Sequence, residues 1–124
     1  MLQFIIMVVI LVYLVIASIV VHLYFYPLIK ICGDSMYPTL KDGEFYIGLR
    51  ESHLLPPIVG RIYVFEPPDE KGKKVVKRLT HYDSERQMCY FEGDNSENSY
   101  DSRHYGWVPA NNIKVMIYRK VGKR

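Results

Sequence analysis

The chain begins with MLQFIIMVVILVYLVIASIVVHLYFY, residues 1–26, a run that contains no Asp, Glu, Lys or Arg. Its only strongly polar residues, Gln3 and His22, lie near the two ends of the run. A helix of about 25 residues, at roughly 1.5 Å per residue, is about 37 Å long and can cross a hydrocarbon core of about 30 Å with some tilt. The run therefore predicts a single transmembrane anchor over residues 1–27.

Two other structures of the same run are less favoured. A buried core helix of this hydrophobicity needs a larger protein around it than 124 residues provide. A cleaved secretory signal normally has a basic start and a shorter apolar stretch. Charge counting does not decide the orientation of the anchor, because no Lys or Arg precedes the helix and Lys30 follows it.

The remaining residues, 28–124, have room for one small domain. The net charge is only +3, and the basic residues cluster at KGKK, 71–74, and at RKVGKR, 119–124. Solvated faces or contact with a membrane surface explain these clusters more simply than nucleic-acid binding, so no nucleic-acid partner is expected. Cys32 and Cys89 have neither CxxC spacing nor a His at ligand spacing, so no metal or cofactor is expected; a disulfide between them is left open.

After the anchor, the sequence has the pattern of short β-strands separated by turn residues. Five strands are predicted at Phe45, Ile47 and Leu49, at RIYVFE (61–66), at Lys73 to Thr80, at Met88 to Phe91 and at IKVMIYR (113–119). The stretch PPDEKGKK is predicted to be a loop. The expected fold class is mainly β, with one N-terminal transmembrane helix followed by a small β domain over residues 28–124.

The motif GDSMYPTL, residues 33–40, lies just after the predicted anchor. Gly33 allows close backbone approach and Pro38 stiffens the following turn, so Ser35 is presented on a shaped loop. A serine in a polar turn is usually structural. Ser35 alone therefore does not establish catalysis.

The segment KKVVKRLT, residues 73–80, adds a second chemical group. The strand period of two places Val75, Lys77 and Leu79 on one face, which is apolar apart from the lysine. A lysine with its ordinary pKa near 10.4 is less than about 0.1% neutral at pH 7. Burial can lower that pKa by about 3 to 5, which would let Lys77 act as general base for Ser35. A snorkelling lysine fits the same period.

The third motif, GDNSENSYDSR at residues 93–103, is rich in small polar residues. Its acidic groups could pair with Arg78 and Arg103, and its hydroxyls could orient a neutral lysine. A polar surface loop is the alternative interpretation of this composition.

Histidines offer another candidate base. His104 could form a Ser/His/Asp triad with Asp101 or Asp94 as its third member, and His81 lies next to the lysine strand. Both histidines rank below Lys77 as the predicted base for Ser35.

Taken in order, GDSMYPTL, VVKRL and GDNSENSYDSRHYGWVP resemble the serine, lysine and C-terminal boxes of type I bacterial signal peptidases, the Ser/Lys-dyad proteases of family S26. The resemblance covers most of residues 31–118, in a short form without the large inserted region of many members. It implies a β catalytic domain on the extracytoplasmic side of the cell membrane, cleaving secretory preproteins after small residues at −1 and −3. The implied partners are these preproteins, the lipid bilayer and the secretion machinery.

The resemblance also assigns roles by position. Ser35 becomes the nucleophile, Lys77 the base and Ser99 the hydroxyl that orients the lysine. The residues that support the site are Met36, Arg78, Asp94, Asp101 and Arg103. An oxyanion hole built partly from the Ser35 backbone N–H is implied too, but Gly33 stands where some members have an assisting serine.

Two alternative functions share parts of this pattern. Self-cleaving repressors of the LexA type have similar serine and lysine motifs, but they carry a DNA-binding domain ahead of the serine and have no membrane anchor. A catalytically silent membrane protein that binds preproteins, or assists a processing or assembly machinery, would keep the fold. Because both dyad residues are present, the enzyme is favoured over this silent form.

Overall fold

The computed structural model describes residues 1–122, so the last two positions of the domain predicted for 28–124, and of the basic cluster RKVGKR, lie outside the described residues. Helix α1 spans Leu2–Phe25, and none of its residues is buried. It is long and apolar enough to cross a membrane, with a mean hydropathy of 3.3. The helix ends before Pro27, since proline disfavours helical conformation in the residue that precedes it.

Within residues 1–122, seven strands form one sheet in which every pairing is antiparallel. The strands are β1 (Leu28–Lys30), β2 (Phe45–Arg50), β3 (Ile62–Phe65), β4 (Val75–Asp83), β5 (Met88–Glu92), β6 (Val108–Pro109) and β7 (Ile113–Lys120). Their order is β1-β2-β7-β3-β4-β5-β6. A short helix, α2 (Ser102–Tyr105), precedes β6. The predicted mainly β fold with an N-terminal apolar helix is confirmed.

All five predicted strands are present, as β2, β3, β4, β5 and β7. The sequence did not reveal β1 and β6, because strands of three and two residues carry no periodic signal. In β2 the buried positions are Tyr46 and Gly48, so the alternating Phe45, Ile47 and Leu49 mark the outer face of that strand.

The core consists of two clusters, because both faces of the sheet bury side chains. One cluster contains Tyr63, Phe65, Leu79, Cys89, Phe91, Val108, Ala110 and Ile113. The other contains Ile31, Met36, Leu40, Tyr46, Val64, Val115 and Ile117. In β4, Val75 packs against the first cluster and Val76 against the second, as the strand period of two requires. Lys77 therefore emerges on the side of the first cluster.

Candidate active site

Ser35 lies on the loop that joins β1 to β2. The Gly33 N–H donates to Asp42 Oδ1 at 2.7 Å, and the Tyr37 N–H donates to the Asp34 carbonyl at 3.1 Å. Met36, the next residue along, is buried in the second core cluster. The loop is thus fixed on both sides of Ser35, whose side chain remains partly exposed.

Lys77 is buried on β4, with only 5% of its surface exposed. It pairs with Tyr63 of β3 in the sheet, and Leu79 lies two residues further on the same face. Burial lowers the pKa of Lys77, although the negative charge of Asp101 opposes this. Among residues 1–122, the Lys77 amine forms no hydrogen bond or ion pair with another side chain or carbonyl. The strand period left burial and snorkelling of Lys77 both open, and the low exposure of the residue favours burial.

Two cavities meet at Ser35 and Lys77. They measure about 400 and 300 Å³, and both residues line both cavities. The walls that the two cavities share are completed by Cys32, Gly33, Lys73 and Val75. The serine loop and the lysine strand, separated in sequence, thus form a single cleft.

The third motif packs directly against the serine loop. The Asn95 N–H donates to the Ser35 carbonyl at 2.9 Å, and Asn95 Nδ2 donates to the Asp34 carbonyl at 3.0 Å. Gly93 lies very close to the serine loop and to Ser99. A Cβ at position 93 would approach the Ser35 carbonyl to 2.7 Å and the Ser99 Cβ to 2.6 Å. Glycine at 93 therefore lets the backbone of the third motif touch the loop that carries Ser35.

Asp101 is the fully buried charge of the site, with 0% exposure. Arg103 donates to it through Nε at 2.9 Å and Nη2 at 2.6 Å, and the Gly93 N–H donates at 2.8 Å. Burial opposes ionisation of this carboxyl, but these hydrogen bonds together hold its pKa well below the usual range. Asp101 is thus a carboxylate that ties the third motif together.

Ser99 donates its hydroxyl proton to Asp101 Oδ2 at 2.5 Å. Within the described residues it forms no hydrogen bond to Lys77. Since the proton points to Asp101, the lone pairs of the Ser99 oxygen are left to accept a hydrogen bond. The role of Ser99 in orienting the lysine stays a prediction.

A second ion pair joins β4 to the third motif, whose Asp94 also contacts the serine loop. Arg78 binds Asp94 through Nε at 2.9 Å and Nη2 at 2.7 Å, which raises the pKa of Arg78 and lowers that of Asp94. Asp94 also accepts from Thr39 Oγ1 at 2.5 Å, and its N–H donates to Met36 Sδ at 3.4 Å. The supporting residues predicted from the sequence therefore form two contacting sets, one of Met36, Asp94 and Arg78 and one of Asp101 and Arg103.

The two candidate histidines lie outside this cleft. His104 caps α2 together with Asp101, and its Nδ1 accepts from the Asp101 N–H at 3.2 Å. His81 is exposed and contacts Thr80 Oγ1 at 3.1 Å. In the part of the chain that the structure describes, neither histidine lines the cavities that hold Ser35.

Both cysteines are free within residues 1–122, with Cys32 exposed and Cys89 buried. The same residues contain no group of three His, Cys, Asp or Glu side chains that could hold a metal ion.

Two tyrosines of the larger cavity were missed by sequence reasoning. Tyr100 donates its hydroxyl to Asp69 at 2.7 Å and so ties the PPDEKGKK loop to the third motif. The Tyr105 hydroxyl is buried and, among the described residues, has no hydrogen-bond partner. Tyrosines at these positions follow no periodic pattern, so only the folded chain reveals that they line the cleft.

Comparisons with known proteins identify the family of this chain. The family model described as "Signal peptidase, peptidase S26" matches residues 1–82. Mitochondrial inner membrane protease subunit 1 of Schizosaccharomyces pombe is 29% identical over 120 residues, covering 82% of this chain and 76% of the relative. The protein of the same name from Mus musculus is 25% identical over 108 residues, covering 72% and 65%. The family model covers 82 of the 124 residues, and the chain therefore belongs to the peptidase S26 family of signal peptidases.

Proposed function

We propose that this chain is a membrane-anchored serine endopeptidase that removes signal peptides from exported preproteins, with Ser35 as nucleophile and Lys77 as general base. One observation carries the proposal: Ser35 and a buried lysine that forms no ion pair within residues 1–122 line the same two cavities. Membership of a peptidase family supports hydrolysis of a peptide bond as the reaction.

The chemistry would proceed in two halves. Neutral Lys77 takes the proton of Ser35 Oγ as that oxygen attacks the scissile carbonyl, and the resulting ammonium returns a proton to the leaving amine. Water then attacks the acyl-enzyme ester with Lys77 as base again, which releases the acid and restores Ser35. Lys77 is thus protonated only transiently during each half of the reaction, which suits an amine whose pKa is lowered by burial.

Backbone and hydroxyl groups around the dyad support this chemistry. Among residues 1–122, the Ser35 N–H donates to no acceptor and could bind a developing oxyanion. The Ser99 oxygen, with its proton on Asp101, could accept a hydrogen bond from Lys77 and aim the lysine lone pair at Ser35.

Helix α1 would be the single-pass anchor, with the domain from residue 28 onward on the extracytoplasmic side of the cell membrane. The relatives are named for the mitochondrial inner membrane, so the type of membrane is part of the proposal. Secretory preproteins, tethered in the same bilayer and cut after small residues at −1 and −3, would be the substrates. Contacts with the secretion machinery belong to the same proposal.

The test compares the detergent-solubilised full-length protein with its variants on purified preproteins, with the product N-termini sequenced. Ser35→Ala should abolish cleavage, and Lys77→Ala should lower it by about 10²- to 10⁴-fold, the usual contribution of a general base. The matched controls His81→Ala and His104→Ala should remain active. Cleavage retained by Lys77→Ala and lost in a histidine variant would replace the dyad with a histidine mechanism.

A second candidate function is suggested by the relatives, because both are named as a subunit of a protease. This chain could bind preproteins without cutting them, as one component of a processing machinery. Preprotein binding without cleavage by the purified protein, at any pH from 6 to 10, would favour that function over the enzyme.

A further inference from the structure

The smaller of the two cavities at the dyad, of about 300 Å³, has an apolar interior. Its inner wall contains Ile31 and Met36, which are 4% and 2% exposed. Val75 and Val76 of β4, both partly buried, extend that wall. Binding cavities are generally lined by apolar side chains of this kind, with a few charged groups that set specificity. The interior of the smaller cavity therefore suits small apolar side chains.

The exposed part of the same lining is basic. It contains Lys30, at the end of β1, and Lys73 and Lys74, just before β4, and we call these three residues the lysine rim. Lys73 pairs loosely with Glu70 at 3.5 Å, and the Lys30 amine lies 5.9 Å from the centre of the Phe45 ring. Among residues 1–122, Lys30 and Lys74 form no ion pair, and no Asp or Glu lines the smaller cavity. The smaller cavity thus has positive charge around it and no carboxylate in its own lining to balance that charge.

The larger cavity, on the other side of the dyad, has an acidic lining. Asp34 of the serine loop and Asp69 and Glu70 of the PPDEKGKK loop line it, and all three are exposed. Of the lysines, only Lys73 and Lys77 line this cavity, and both are shared with the smaller one. The charged lining is therefore mostly basic on one side of the dyad and mostly acidic on the other. Charges arranged in this way around a cleft favour ligands of complementary charge.

We propose that the lysine rim selects preproteins that carry an acidic side chain at position −2 or −4. The apolar interior of the smaller cavity receives the small side chains at −1 and −3. Successive side chains of an extended segment point to opposite faces, so those at −2 and −4 face the exposed rim. The inference rests on the proposed function and names its substrate class more closely. Residues after the scissile bond lie among the carboxylates of the larger cavity, so an acidic side chain is not favoured there.

The expected preference is modest and depends on salt. Because the rim lysines are exposed, one contact with a substrate carboxylate should change kcat/KM by about 1.5- to 5-fold, the usual range for an exposed ion pair. The Debye length falls from about 10 Å at 0.1 M salt to about 3 Å at 1 M salt, so the preference should be largest at low salt and should nearly vanish at 1 M.

The test measures cleavage of synthetic peptides by the full-length protein in nonionic detergent. All peptides have Ala at −1 and −3, and Glu, Gln or Lys is placed at −2, at −4 or, in a separate set, at +2. We expect kcat/KM to decrease in the order Glu, Gln, Lys at −2 or −4, with no preference for Glu at +2. Lys74→Glu should reverse that order, and Lys30→Gln should weaken it. The matched control Lys71→Glu, exposed in the same loop but lining neither cavity, should keep it.

The outcomes separate this inference from the proposed function. Cleavage of all peptides at equal rates would overturn the role of the rim and leave the peptidase standing. A preference for Glu at +2 alone, or an equal change of preference in Lys71→Glu and Lys74→Glu, would overturn it too. If no peptide is cleaved, the proposed function fails, and binding of the same peptides, labelled with a fluorophore, to Ser35→Ala tests the rim by itself. Fluorescence anisotropy should then give the same order of affinities, and equal affinities would contradict the inference.

Discussion

Lys77 shows how a single side chain can be poised by its surroundings. Lys77 as a residue is only 5% exposed, so charging its amine requires loss of hydration, and no carboxylate pairs with it in the described residues. The negative charge of Asp101 raises the pKa of Lys77 but does not outweigh burial. The neutral form needed by a general base is thus favoured by the fold itself.

The lowered pKa of Lys77 predicts a pH-dependent stability. At pH values between this lowered pKa and the ordinary value near 10.4, Lys77 is protonated in the unfolded chain and neutral in the folded chain. The free energy of unfolding therefore rises with pH over this range. Lys77→Met should therefore increase the free energy of unfolding at pH 6 by about 1.4 kcal/mol for each unit by which the pKa is lowered. The advantage should shrink towards pH 10. Urea unfolding of both proteins in detergent at pH 6, 8 and 10 measures this difference in unfolding free energy. A difference that stays the same at all three pH values would contradict a depressed pKa.

The two cysteines should differ in reactivity. Burial raises the pKa of Cys89 to about 12, whereas Cys32 is exposed and lines both cavities beside Ser35. A maleimide should label Cys32 alone in the folded protein and stop preprotein cleavage by filling the cleft. Mass spectrometry identifies the labelled cysteine, and Cys32→Ser should remain active in the presence of the reagent. Full activity of the labelled protein would place the substrate path elsewhere.

At the scale of elements, the site depends on the contact of three segments: the serine loop, strand β4 and the third motif. Gly93 is the point of closest approach, where the Ser35 carbonyl and the Ser99 side chain leave no room for a Cβ. The ion pair Arg78–Asp94 joins β4 to the third motif, and Arg103–Asp101 stabilises the third motif itself.

Gly93→Ala should destabilise the protein by about 1 to 3 kcal/mol and should also lower cleavage by the remaining folded molecules, because it pushes the third motif away from Ser35. Gly48→Ala is the matched control, since a Cβ there would meet the Val115 side chain and approach the Met116 carbonyl to 3.2 Å, away from the cleft. It should destabilise the fold while activity per folded molecule stays unchanged. Thermal unfolding and kcat/KM are measured on both variants; equal activity per folded molecule would show that Gly93 is a packing residue only.

Patterns that repeat along an element were readable from the sequence, and contacts between elements were not. The period of β4 places Lys77 on an apolar face, and the charge-free run predicts α1. The proton of Ser99 goes to Asp101 because the fold brings the two side chains to 2.5 Å, which no local pattern encodes. The exposure of Leu54 could not be predicted from the sequence either, because an apolar segment with two prolines has a composition that fits a buried edge strand as well as an exposed loop.

At the scale of the whole molecule, helix and domain are nearly independent. No residue of α1 is buried, and both core clusters are built from positions 31 to 117. The domain therefore does not need the helix for its own core.

Removal of residues 1–26 should leave the melting temperature of the domain within a few degrees of the full-length value. Cleavage of a short soluble peptide should be retained, whereas cleavage of preproteins embedded in vesicles should fall by about 10²-fold, since the shared bilayer no longer raises the local concentration. Calorimetry and parallel assays on both substrates test this. Loss of the cooperative transition on truncation would show that the helix contributes to folding.

The central place of β7 decides when the cleft can exist during biosynthesis. Because β7 lies between β2 and β3, those strands are joined only after residue 120 has been added. At about 5 to 20 residues per second, Ser35 is made roughly 4 to 17 s before that point. A nascent chain thus carries its nucleophile for seconds without an assembled lysine environment. The proposed peptidase would remain latent, unable to cut its own emerging anchor, until its last strand is in place.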